Sequence, residues 1–215
     1  MAAPEQRFVP RFAAEPPQEE LPYGRWAERL AGELLGAARE LDTDGEDIGD
    51  VKAVVWYPDR TWHGWTYVPA TAPTANGYEL FGFVRFQRGA EGGEPGAFSA
   101  QLDYTQETAE RNPGWELDIC EEVVGAWRGE NGAEAAMTLV WGRPLVPGGA
   151  TATAELADLV VDQTPVVEER FTLLAPDDYR GDLLEIGLFD ARGHELARES
   201  LYTGDDEDAG DEPEE

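Results

Sequence analysis

After Asp50 the chain is a series of short runs rich in β-branched and aromatic residues, separated by turn chemistry, with no helical periodicity between them. "VKAVVWY", "TWHGWTYVPAT", "GYELFGFVRFQ", "FSAQLDY", "ELDICEEVVGAWRG", "AAMTLVWGRPLV", "ATATAELADLVV", "VVEERFTLLA", "DLLEIGLFD" and "HELARESLY" follow one another in this way. Strands joined by tight turns run antiparallel, because a parallel pair needs a crossover of about a dozen residues or more. Asn76-Gly77, "ENGAE" and "ARG" supply that turn chemistry. The series predicts a mainly β fold, a single antiparallel β-sandwich or flattened barrel of about ten strands spanning about 50–203.

One segment departs from this texture. Trp26, Leu30, Leu34, Ala38 and Leu41 recur at helical spacing, which predicts one amphipathic helix over about 22–41, ended by "DTDGEDIGD". In "GYELFGFVRF", Leu80, Val84 and Phe86 fall on one face of a strand and Phe81 and Phe83 on the other. A strand apolar on both faces needs cover on both, so the helix is expected to lie across one sheet or plug an end. Residues 21–203 then form a single domain, preceded by a Pro-rich arm at 1–20 and followed by an acidic tail at 204–215, both expected to be flexible.

Charge restricts the partners. Forty-five Asp and Glu face sixteen Lys and Arg, with Lys52 the single lysine, for a net charge of −29. Duplex binding requires many phosphate contacts from clustered cations, and an anionic membrane surface has the same requirement, so neither partner is expected. An acidic surface favours solubility, and it also attracts a basic protein. The arm contributes "RFVPRF", whose Arg7, Phe8, Arg11 and Phe12 form a short motif suited to docking on a protein partner. One cysteine, Cys120, excludes an internal disulfide and fits a reducing compartment, and the opening residues lack the apolar run of a signal peptide. A soluble cytoplasmic protein is expected.

Scarce residue types exclude several chemistries. Serine occurs only at 99 and 200, neither in a nucleophile elbow, and the lone lysine is in no phosphate-binding loop. Two His with one Cys cannot build an all-Cys or two-Cys, two-His zinc site. Asp42, Asp44, Glu46 and Asp50 are spaced like calcium ligands, but Asp47 stands where the loop needs Gly and Ala53 where it needs Glu, so a solvated connection is expected. Cys120 lies among Asp118, Glu121 and Glu122, which disfavour a thiolate. No cofactor or metal is implied.

The aromatic stretch "YPDRTWHGWTY" carries the candidate site. Fully burying a Trp yields a gross gain of about 4 to 6 kcal/mol, which assigns most indoles to the core. A regular strand cannot place Trp62 and Trp65 on one face, so a turn or bulge is implied at Gly64, freeing one ring to wall a cleft. Asp59, Arg60, Trp62, His63 and Trp65 are therefore the expected ligand-binding residues. Gly125-Ala126-Trp127 resembles the Gly-x-Trp signature of lipocalin-like barrels, which implies a closed cup for a small apolar ligand, although that family carries it on the first strand and here it falls mid-chain. The expected function is non-enzymatic binding, with a pocket protein or metal-independent enzyme as the alternative.

Overall fold

A computed structural model of the protein describes residues 20–89, 94–129, 132, 134–178 and 182–201. The arm motif Arg7, Phe8, Arg11 and Phe12 and the 204–215 tail lie outside the described residues. Helix α1 (Gly24–Ala38) precedes twelve strands: β1 (Val55–Trp56), β2 (Arg60–Trp62), β3 (Trp65–Pro73), β4 (Glu79–Gln87), β5 (Gly96–Thr105), β6 (Leu117–Arg128), β7 (Glu134–Pro144), β8 (Thr151–Leu156), β9 (Leu159–Pro165), β10 (Phe171–Asp177), β11 (Leu184–Phe189) and β12 (Glu195–Ser200). No helix among the described residues is long and apolar enough to cross a membrane.

Every pairing is antiparallel, in three sheets. The first has the order β1-β3-β4-β5 with β2 also on β3, the second β10-β7-β6, and the third β12-β11-β8-β9. The arrangement is sandwich-like and does not close into a barrel. Ten sequence runs become twelve strands because two of them fold back on themselves. "TWHGWTYVPAT" turns at His63-Gly64, with φ of 50° and 78°, and "ATATAELADLVV" turns at Ala157-Asp158, with φ of 53° and 62°. Such left-handed pairs join hairpin strands tightly. The second has no Gly or Asn to announce it.

The sheets stack because each strand alternates its side chains between faces. Leu30 and Leu34 of α1 pack on Val68, Ala70, Val84 and Phe86 of the first sheet, with Trp26 set edge-on to Phe86 at 5.1 Å. The opposite face offers Tyr67 and Phe83 to Met137, Leu139, Trp141 and Leu174 of the second sheet. That sheet's other face sends Val140, Phe171 and Leu173 against Ala154, Ile186 and Leu188 of the third. β4 is thus covered on both faces, as its sequence pattern requires. The helix is shorter than expected, since Leu41 falls beyond Ala38.

A buried ion pair closes one side of this stack. Among the described residues only β7 pairs with β10, so the other edge of β10 would be bare. Arg60 of the first sheet, 1% exposed, donates from Nε to the Thr172 carbonyl (2.9 Å) and from a terminal nitrogen to Oδ2 of Asp162 (2.7 Å). The same carboxylate oxygen, carried by β9 of the third sheet, accepts the Leu174 N–H at 2.9 Å. The next outward-facing position on β10 is Pro176, which has no N–H to satisfy. Three sheets therefore meet at one hydrogen-bonded pair. Arg60→Ala strands Asp162 and is expected to cost about 3–5 kcal/mol in a urea titration. Arg128→Ala, which breaks the exposed pair with Glu134, leaves the unfolding midpoint where it is.

Candidate functional site

The structure places the five residues expected to form a ligand site in different surroundings. The turn at His63-Gly64 makes Trp62 and Trp65 cross-strand partners, so both indoles lie on the face toward the second sheet. Trp62 is buried in that core. A side-chain carbon at Gly125 would overlap its ring, which explains the small residue in "GAWRG" without a lipocalin-like cup. His63 is exposed and stacks on Trp62 at 4.1 Å. Trp65 is half-buried beneath the Arg85 guanidinium, 5.0 Å from its ring centre. Arg60 is committed to Asp162 and Thr172. Asp59 lines a cleft of about 460 Å³ beside Tyr23, Trp26 and Val68, away from the two stacked rings.

In the acidic connection after α1, Glu46 accepts the Tyr78 hydroxyl at 2.9 Å and two other carboxylates act locally. Asp42 accepts the Asp44 N–H and Asp47 accepts the Gly49 N–H, both at 3.1 Å, forming turns of the loop itself. Among the described residues no group of three or more His, Cys, Asp or Glu is placed to hold a metal ion.

A different cavity gathers charged groups. Between the first and second sheets, at the end where β3 finishes and β4 begins, a cleft of about 310 Å³ is lined by Lys52, Val55, Tyr57, Pro73, Glu79 and Arg143, with Tyr78 and Glu110 also on its wall. Alternation places these groups. Glu79 shares its face of β4 with Phe81 and Phe83, and Arg143 shares its face of β7 with Leu139 and Trp141. The segment before β1 brings Lys52 alongside, its N–H donating to the Pro73 carbonyl at 2.9 Å.

The electrostatics are unusual for so acidic a chain. Arg143 donates from Nε to Oδ2 of Asp118 at 2.8 Å, and its terminal nitrogens have no partner among the described residues. Burial alone would lower its pKa, but Asp118 more than offsets that. Glu79 makes no side-chain hydrogen bond and no ion pair among the described residues. Burial, then the charge of Asp118, push its carboxyl up to about 7, against the pull of Arg143 and with a further push from Glu110. Burial pushes the Tyr57 phenol up, and its closest hydroxyl partner, Thr71, is a distant 3.5 Å away. Behind them, burial and the charges of Glu79, Asp118 and Glu121 push the Cys120 thiol well up, which keeps it protonated.

Sequence reasoning did not reach this cleft, although two signals for it exist. Lys52 is the single lysine, and period-two alternation from Phe81 and Phe83 puts Glu79 on an inner face. Compared with models of known families, with curated proteins and with solved structures, the chain matches none. Function has to be argued from the chemistry of the site.

The raised carboxyl makes a pH prediction. Glu79 titrates near its ordinary 4.5 when unfolded and at about 7 when folded, so the folded state holds the proton more tightly. The resulting stabilisation is complete below the unfolded value and is lost as pH rises through the folded one. Asp118, Arg143, Glu110, Lys52, Tyr57 and Cys120 face this group. The melting temperature of the wild type should fall more between about pH 5 and about pH 7 than that of Glu79→Gln. Parallel curves for the two proteins contradict the assignment.

Proposed function

We propose that the protein is a soluble, cytoplasmic binding protein rather than an enzyme, and that its ligand is a small polar molecule held in the Lys52–Glu79–Arg143 cleft. One observation carries the reading: among the described residues the Glu79 carboxylate, the Lys52 ammonium and the terminal nitrogens of Arg143 line one cleft without a partner, whereas Arg60 deeper in the fold is bonded to Thr172 and Asp162. Leaving a desolvated carboxylate unsatisfied costs stability, and proteins tolerate such costs where a ligand supplies the missing partner. The protein partner expected from Arg7, Phe8, Arg11 and Phe12 belongs to the same class of function. A second reading is favoured by the position of Glu79 near neutrality, the range of a general acid or base; it predicts turnover of the bound molecule.

Amide NMR titration with a library of polar metabolites tests the proposal. Saturable shifts are expected at Gly77, Tyr78, Glu79, Thr108 and Ala109, with affinity at least about tenfold lower in Glu79→Gln, about 1.4 kcal/mol. Ligands that bind tightly while shifting other regions would overturn it.

A further inference from the structure

We infer that the cleft between the first two sheets takes a small zwitterion of the free amino-acid class, its ammonium on Glu79 and its carboxylate on the Arg143 and Lys52 nitrogens. The inference rests on the binding proposal above and adds the chemical class of the ligand.

The argument is one of satisfying every group at once. Among the described residues the cleft presents an inner unbonded carboxylate, Glu79, with the exposed Glu110 at its wall, and two unbonded sets of donors, the terminal nitrogens of Arg143 and the Lys52 ammonium. A simple anion would occupy the donors but bring negative charge beside Glu79, which already feels Asp118 and Glu110. A simple cation would satisfy Glu79 but leave the terminal nitrogens of Arg143 and the Lys52 ammonium without an acceptor and repelled. A molecule carrying both charges meets both demands with charge-assisted hydrogen bonds, roughly twice as strong as neutral ones.

Preorganisation and size point the same way. Asp118 fixes the guanidinium through Nε at 2.8 Å, which leaves the two-nitrogen end available for a bidentate carboxylate. Lys52 is exposed at the cleft and is the chain's only lysine, so the single ammonium of the chain side chains stands where a carboxylate would dock. The cleft, of about 310 Å³, has the size of a small-molecule site. Val55, Pro73 and the Tyr57 ring give its carbon skeleton an apolar wall.

The test is calorimetry and thermal shift on the full chain with each of the twenty common L-amino acids in turn. For those that bind, the matched carboxylic acid lacking the amine and the matched amine lacking the carboxylate are then run. At least one amino acid is expected to bind saturably, and each truncated analogue to bind at least tenfold more weakly. In Glu79→Gln the preference for the amine should collapse. In Lys52→Met, a change at an exposed position, the preference for the carboxylate should weaken at least threefold. The comparison of analogues on wild type stands even if Glu79→Gln fails to fold. Binding of sugars, monoanions or monocations in this cleft, with every amino acid silent, overturns the zwitterion inference and leaves the binding proposal standing. A cleft unresponsive to every compound overturns both.

Discussion

The outer edge of β10 is the constraint on which the layered structure depends. A three-stranded central sheet covered on both faces cannot leave an edge of backbone groups unsatisfied, because water is excluded there and each orphan group costs about 1–3 kcal/mol. Among the described residues no fourth strand is added at this edge. A guanidinium from the sheet above and a carboxylate from the sheet below cap it, and Pro176 removes one further donor. Burial lowers the pKa of Arg60 and raises that of Asp162, so desolvation opposes the charged form of both partners and their mutual attraction has to compensate. A pair of this kind adds little net stability compared with apolar residues of the same shape. Its contribution is geometric, since it fixes how three sheets stack at one point.

With that side sealed, the polarity of the other side follows. Across the layer between the first and second sheets, the β2 and β3 half is aromatic, with Tyr57, Trp62, Tyr67 and Trp141 in contact. Toward β5 and β6 the same layer turns polar, with Gln101 bonded to Glu122 at 2.6 Å and Arg143 to Asp118. The cleft lies where the apolar half meets the polar half. Its groups are desolvated enough for burial to move the pKa of Glu79, yet open enough to admit a small molecule. A site on strands held from both faces has little freedom to rearrange, which suits recognition by fixed charges.

Much of the architecture was legible in the sequence because it rests on periodicity. The double-sided pattern of "GYELFGFVRF", the helical stripe from Trp26 to Leu34 and the turn at Gly64 all stand as read. What escaped was pairwise. The Ala157-Asp158 turn has no glycine, so nothing local marks it, and the hairpin is imposed by pairing β8 with β9. Arg60 reads as a polar group beside two indoles, whereas its partner lies 102 positions away. The cleft joins residues from before β1, from β4 and from β7, and no local window contains all three. Abundant carboxylates hid Glu79, because its place on an inner face of β4 is a weak signal among forty-five acidic residues.

Native-state hydrogen exchange at the Leu174 amide tests the central claim most directly. If Asp162 caps the edge of β10, this amide should exchange only through unfolding of the whole structure, with a protection factor matching that of the Leu173 amide, which faces β7. Rapid exchange at Leu174 beside a protected Leu173 would mean that the edge is open to water, and would contradict the role given to the Arg60–Asp162 pair.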